Sequence, residues 1–412
     1  MYSAETSASG RHSTWMIVVA TMAQNVATGV LFGSFGTMLF ALEHRFGADR
    51  GESSLTLSLA VVSLSLTAFW MGSRLGRLSL RPLMMAGSVI SAAGFALLSV
   101  ATEKWQLWAI YLLLLGPGAG LCGVLASNTL ATQWSSDARR GMALGWVNAP
   151  LMVTIMPLAA AAIMKSFGMH ALFLTMAAIH LAMLPVLSTI RENRTGAPTP
   201  AKASLNRAAI ASIPLLVLLI LVEGIVTGGG LMKQSHLIPL VTAQGYNFDQ
   251  ANLLLAITGA TGVVGSLVLG WLVDRIGAAN ALALNALVQA LVWTILLIPV
   301  PYGLLVVDAV IVGMCGGGLQ TIKSTLVGLL FGRENFARVF GLLSLFTLPF
   351  LFGVPWLAGV LYVHSGSYWL PVLLQVGGFL LATVGALALA RREKQARAAI
   401  GQLGNEQEGL SA

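Results

Sequence analysis

Apolar runs close to the length of a membrane crossing recur about every 30 residues along this chain, and no other feature narrows its folding options as far. A helix needs roughly 20 apolar residues to cross a hydrocarbon core about 30 Å thick. Runs bounded by charges, glycine or proline give twelve such segments, near residues 15–42, 53–73, 82–101, 106–132, 141–164, 169–189, 209–241, 249–273, 278–300, 303–330, 336–362 and 368–390. Their apolarity is continuous rather than alternating, which favours helices over the strands of a transmembrane barrel. Composition agrees: 9% of residues are charged and 57% hydrophobic, against roughly a quarter charged in soluble domains. The first run follows a polar leader ending at Thr14 and exceeds the short apolar core of a secretory signal, so it reads as an anchor.

Charge sets the orientation. Of the 23 lysines and arginines, Arg45, Arg50, Lys104 and Lys165 fall in segments opposite the amino terminus, and Lys233 and Lys323 fall inside predicted helices. All the others lie on the amino-terminal side. By the positive-inside rule both termini are then cytoplasmic, in a multi-pass protein of the cell (inner) membrane. The pI near 9.9 is a consequence of topology, and no nucleic-acid partner is implied. Cys122 and Cys315 fall within predicted helices in glycine-rich surroundings and read as packing residues, with no disulfide or metal spacing.

The chain repeats itself. GSRLGRLSLR from Gly72 and GWLVDRIGAA from Gly270 follow the second and eighth runs, and Arg140 and Arg338 follow the fourth and tenth, both at an offset of 198 residues (72 to 270, 140 to 338). Between the halves lies a polar, proline-containing loop, 191–207, that reads as a cytoplasmic linker. The expectation is an all-α membrane protein of twelve transmembrane helices in two pseudo-symmetric six-helix bundles, 1–190 and 208–390, with a tail at 391–412.

GWLVDRIG at 270–277 closely resembles the G-x-L-x-D-R-x-G loop signature of the major facilitator superfamily. The first-half copy departs from it, with Gly76 where the acid is usual and Ser79 where the glycine is usual, while Arg77 and Arg81 remain. The resemblance implies the major facilitator fold and a cytoplasmic latch in which Asp274, Arg275, Arg77 and Arg81 gate; a purely topological role for the arginines stays open. Stretches 32–60, 236–259 and 355–368 are similar to the monocarboxylate-porter branch. Members of that branch often carry an arginine in helix eight and a lysine in helix one, where this chain has Ser266 and Gly33. A lactate-type substrate therefore does not follow from the resemblance.

Ionisable groups inside a bilayer cost a few kcal/mol or more each unless they face a cavity or a partner. Four fall here, Glu223 and Lys233 on helix seven and Asp308 and Lys323 on helix ten. The resemblance places helices one, four, seven and ten around a central cavity, and Gln24, Asn25, Asn128, Gln234 and Gln320 lie on them, although Asn148 and Gln289 lie elsewhere. Lys233 and His236, three residues apart, share a helix face and either line the cavity or snorkel to the outer interface. Gly228–Gly230 is expected to break a run of about 50 Å. Lys323, past the midplane, is the first candidate for anion binding, against a structural pair with an acid. Glu223 and Asp308 either carry protons or neutralise the lysines, Asp308 in that case pairing with Lys233.

No phosphate-binding loop, metal spacing or nucleophile motif accompanies these groups, so neither ATP-driven transport nor an embedded enzyme is expected and no cofactor is implied. The reading is a monomeric secondary active transporter of a small organic anion, a carboxylate in the first instance, coupled to protons and surrounded by membrane lipid. An exporter of lipophilic or cationic compounds and a receptor that binds without transporting are the alternatives.

Overall fold

The computed structural model describes residues 2–47, 50–75, 78–136, 139–193, 213–332 and 335–411, and the regular elements among them are helices. Eleven stretches are long and apolar enough to cross a membrane. One of them, Arg140–Ser188, has 49 residues and would run about 73 Å if straight. It is divided at Gly168, whose φ of +80° no helix interior accommodates, so it supplies two crossings and the described residues hold twelve.

In chain order, α1 is Tyr2–Gln24 continued through a wide π turn, Asn25–Gly29, into Val30–Phe46. Next come α2 (Arg50–Gly72), α3 (Leu80–Val100) and α4 (Lys104–Trp134). Helix α5 is Arg140–Asn148 resumed over 151–167, and α6 covers 169–188. The second half holds α7 (Ile213–Ala243), α8 (Phe248–Ile276), α9 (Ala278–Trp293) and α10 (Tyr302–Phe331). It closes with α11 (Phe336–Phe346 and Leu348–Ser365) and α12 (Trp369–Ser411). Helix α1 starts ahead of the apolar run, and α12 carries helix through the expected tail. From residue 194 to 207 the expected linker lies outside the described residues.

The chain clusters into two compact units, Met1–Pro200 with Ala337–Leu345, and Ala201–Phe336 with Phe346–Ala412. The same three pairings build each. In the first, Gly29 and Gly33 of α1 meet Met152 and Val153 of α5, Gly116 and Gly120 of α4 meet Ala60, Ser63, Leu64 and Thr67 of α2, and Ser88 of α3 donates to the His180 carbonyl of α6 at 2.7 Å. In the second, Gly224 and Gly228 of α7 meet Phe350 of α11, Gly317 of α10 meets Gly262 of α8, and Trp293 of α9 stands edge-on to Phe379 of α12. Lipid tails are as apolar as leucine, so helices in a bilayer associate through close packing, and glycine permits the approach. The opening turns of α11 belong to the first unit, where Gly72 lies against the Ala337 carbonyl and Gly341 against Ala68.

The expected break at Gly228–Gly230 does not occur: α7 is continuous over 31 residues. Gly228 and Gly229 instead seat neighbouring chains, Phe350 and Val354 of α11 for the first and Gln375 and Phe379 of α12 for the second, while Gly230 faces open space. The helical penalty of glycine, about 1 kcal/mol each, is offset by contacts that any side chain would prevent.

One pair of clasps repeats as the pairings do. Glu192, just past α6, accepts the Leu80 amide at 2.7 Å, and Glu393, within the extension of α12, accepts the Ala278 and Ala279 amides at 2.9 and 2.7 Å. Each carboxylate closes the positive amino-terminal end of α3 or α9, where the first backbone N–H groups have no helical partner. Before α9 stands Gly277 at φ +90°, and before α3 stands Ser79 at φ −80°, so the first-half signature dispenses with its glycine because its backbone does not take the left-handed turn.

Candidate functional site

Glu223, Lys233, Asp308 and Lys323 form two ion pairs between α7 and α10. Lys233 bonds Asp308, with side chains only 4% and 1% exposed. Lys323 Nζ lies 3.3 Å from Glu223 Oε1, with side chains 8% and 1% exposed. As residue numbers fall along α7 they rise along α10, so the helices are antiparallel and each presents one acid and one base in opposite order. The two steps differ, ten residues or about 15 Å on α7 and fifteen or about 22 Å on α10. The two lysine stems, one on each helix, take up the difference.

The pairs have different surroundings. Lys233 also lies 5.4 Å from the ring centre of Trp293 on α9, a desolvated cation–π contact of a kind worth about 2 kcal/mol. Glu223 Oε1 additionally accepts the Thr227 hydroxyl at 3.2 Å, one turn along α7. The second oxygen of each carboxylate, Glu223 Oε2 and Asp308 Oδ1, is buried with no hydrogen-bond partner. Burying an ion costs several kcal/mol, recovered only through a well-placed opposite charge. Each pair is neutral, so an anion that reaches either lysine competes with the resident carboxylate.

Between the pairs, α10 carries Gly313–Gly318. Gly313, Gly317 and Gly318 rest on Thr258, Gly262 and Leu269 of α8, which presses these helices together behind the charges. Cys315 in that run and Cys122 in α4 are buried free thiols. On α9, Gln289 bonds Asn285, which donates to the Cys315 carbonyl at 2.9 Å. Those amides bind α9 to α10.

Lys233 and His236 share a side of α7 yet part company. The His236 Nε2 donates to the Pro355 carbonyl of α11 at 3.0 Å, which leaves Nδ1 to accept from the Tyr368 hydroxyl at 3.1 Å. The ring thus ties α7 to α11 and the start of α12, while Lys233 turns towards α9 and α10. Gln234 is exposed, and Gln320, one turn before Lys323, is half-buried. Trp293 and Thr227 were not foreseeable as site residues, since nothing in the sequence fixes which neighbour a tryptophan or a helical threonine will face.

In the first unit Asn25 donates to the Thr21 carbonyl and accepts the Met152 amide at 3.0 Å, closing the amino-terminal end of resumed α5. Asn128 accepts from Asn148 at 3.0 Å. Asn148 thus joins the polar group from a helix outside the expected four. Its signal was the Asn-Ala-Pro sequence at 148–150, where proline interrupts α5. Gln24 is buried beside Asn25 on α1.

At the other predicted positions, Asp274 is half-buried in the last turn of α8, Arg275 is exposed with its guanidinium 5.2 Å from the Trp271 ring centre, and Arg81 is exposed. Arg77 lies outside the described residues. Ser266 is buried and donates to the Val263 carbonyl at 2.8 Å. A Cβ on Gly33 would stand 2.8 Å from Val153 Cα, so the branch's lysine has no room in this packing.

Known proteins agree with this architecture. The family model described as Major Facilitator Superfamily matches residues 15–298 and 235–408. Monocarboxylate transporter 13 of Rattus norvegicus is 26% identical over 90% of this chain and 88% of its own length, and monocarboxylate transporter 11 of Homo sapiens is 26% identical over 86% and 78%. An uncharacterized MFS-type transporter of Bacillus subtilis, YcxA, is 25% identical over 69% of this chain and 72% of its own. Among solved structures, the E. coli fucose:proton symporter superposes with a TM-score of 0.72 at 16% identity, over 91% of this chain and 99% of its own. The human organic anion transporter MFSD10 gives 0.71 at 15% identity, over 92% and 99%. These relatives are transporters and not enzymes, and the chain is a membrane transporter of the major facilitator superfamily, related within it to the monocarboxylate-porter-like branch.

Proposed function

We propose that this transporter carries a small organic anion, a carboxylate, together with a proton, and that the anion takes the place of Glu223 on Lys323. The observation that carries the reading is the buried Lys323–Glu223 pair at 3.3 Å, whose Glu223 Oε2 has no partner. Were an incoming carboxylate to bind Lys323 while Glu223 stayed ionised, the region would hold two negative charges against one positive, at a cost of several kcal/mol. A proton on Glu223 removes that excess. Proton and anion then arrive as a pair, and the membrane interior keeps the zero net charge of the empty site. The outer pair serves differently: Lys233, held by Asp308 and Trp293, fixes α7 against α10 and so sets where Lys323 is presented.

This exchange belongs to alternating access by a monomer in the cell (inner) membrane, with both termini cytoplasmic. The names of the relatives support the substrate class, and the uneven placement of basic residues supports the orientation.

In liposomes holding the purified protein, a pH gradient should drive uptake of labelled monocarboxylates. Lys323→Gln should abolish uptake with folding retained, and Glu223→Gln should still bind carboxylate but lose the response to the gradient. Full transport by Lys323→Gln would overturn the assignment. Binding of lipophilic cations in place of carboxylates would support an exporter, and binding without counterflow a receptor.

A further inference from the structure

We infer a binding site for hydrogen-bond donors, such as the hydroxyl group of a hydroxylated substrate, in the first unit, where three helices are interrupted around one ring of contacts. Helix α1 widens into its π turn at Asn25–Gly29. Helix α4 leaves helical geometry at Gly123, with φ −82° and ψ −138°. Helix α5 stops at Asn148 and resumes at Leu151, with Ala149 at ψ +121° and Pro150 at ψ +55°. These interruptions touch one another in a closed circuit. Thr28 bonds the Gln24 carbonyl at 2.9 Å and its methyl lies where a side chain on Gly123 would stand. Asn128, five residues along α4, accepts from Asn148, and the Met152 amide four residues further along α5 returns to Asn25 on α1.

Non-helical backbone at membrane depth persists where it lines a cavity or is buried in protein, and transporters use such interruptions to hold substrates. A second, independent feature gives the chemistry. Gln24 Oε1 and Asn148 Oδ1 are buried without a hydrogen-bond partner, in side chains 9% and 8% exposed. The Asn148 orientation is fixed, because its Nδ2 donates to both Asn128 and the Leu144 carbonyl, at 3.0 and 2.8 Å. Its oxygen can therefore only accept. An unsatisfied buried acceptor costs about 1–3 kcal/mol, and two of them beside three helix interruptions are accounted for if a donor occupies them during part of the cycle. Entry follows from the same interruptions, since a half-helix can swing at a joint without breaking the hydrogen bonds of a continuous ladder.

The site deepens the proposed function, resting on the reading of the chain as a small-molecule carrier, and names a substrate feature that Lys323 does not select. The test measures affinity by thermal shift of the purified protein for three probes: a 2-hydroxy monocarboxylate, the same acid lacking the hydroxyl, and erythritol as an uncharged polyol. A site built to bond a hydroxyl rejects the analogue without it, so a preference of about tenfold or more for the hydroxy acid is expected. That preference should vanish in Gln24→Met and in Asn148→Leu, and persist in Gln24→Glu, which keeps an acceptor. Gln24→Met preserves side-chain length and carries the test should Asn148→Leu fail to fold. Equal affinity for the two acids in the unaltered protein, or an unchanged preference in Gln24→Met, overturns the inference. Binding of erythritol with no binding of either acid would leave this site standing and remove the anion reading at Lys323; equal binding of both acids would do the reverse.

Discussion

Replacing the Lys233–Asp308 pair by apolar residues should leave the protein folded, although either replacement alone should damage it badly. Lys233→Met strands the Asp308 carboxylate, and Asp308→Leu strands the Lys233 ammonium, each almost wholly buried. Losing one partner of a buried pair costs about 3–5 kcal/mol. A ceiling comes from neutralising the stranded group at pH 7, about 4 kcal/mol for an aspartate and about 5 for a lysine from their reference pKa values. The double variant Lys233→Met/Asp308→Leu strands nothing, and exchanges of this kind are often neutral or stabilising by about 1–4 kcal/mol. The sign of the pH dependence differs between the singles. A stranded aspartate binds a proton more readily as pH falls, so Lys233→Met should be less destabilised at pH 5 than at pH 7. Asp308→Leu should recover only as pH rises. Unfolding followed by tryptophan fluorescence in mixed micelles at pH 5, 7 and 9 reads all three variants. If the two single losses simply add in the double variant, or if neither single responds to pH, the pair is not the buried electrostatic tie described.

Three further outcomes follow. Glu393→Ala removes the carboxylate that accepts the Ala278 and Ala279 amides at the amino-terminal end of α9 and should cost about 2–3 kcal/mol, and Glu192→Ala, which removes the acceptor of the Leu80 amide, should destabilise the first bundle in the same way; thermal melts of the two variants check both. Gly229→Ala should destabilise by about 1–3 kcal/mol by driving a methyl into Gln375 and Phe379, whereas Gly230→Ala, with nothing within 4 Å, should be neutral or stabilise by up to about 1 kcal/mol. Gly33→Lys, which installs the cation usual in the related branch, should fail to yield folded protein rather than gain activity, because α1 and α5 touch at that point; a monodisperse gel-filtration peak from this variant would contradict the packing.

The twelve crossings were legible because length and apolarity decide them, and the division of Arg140–Ser188 at Gly168 restores the one crossing that continuous helix conceals. Glu223, Lys233, Asp308 and Lys323 stood out for the same reason, since a charge in an apolar run needs a partner. A pairing of Asp308 with Lys233 was legible as one alternative, beside proton carriage by the acids, but the sequence could not decide between them, because contact depends on helix rotation and on a difference of about 7 Å between the two helical steps. Glycine misled: Gly228–Gly230 has weak helical preference, but propensity yields to packing, and the breaks fell at Asn25, Gly123 and Pro150 instead. The carboxylate clasps escaped because the Arg-Glu pairs at 191–192 and 392–393 lie three residues out of step with the repeat offset, although the amides they meet are in step.

Glu393 also redefines where the second bundle ends. By apolarity α12 finishes near residue 390, yet the residue that secures α9 comes three positions later, among charges that look like a dispensable tail. A fusion partner or affinity handle joined directly after the last apolar residue would sever that clasp while sparing every crossing. Attachment beyond the extension keeps it, and the difference would show as a loss of thermal tolerance that no inspection of the membrane spans explains.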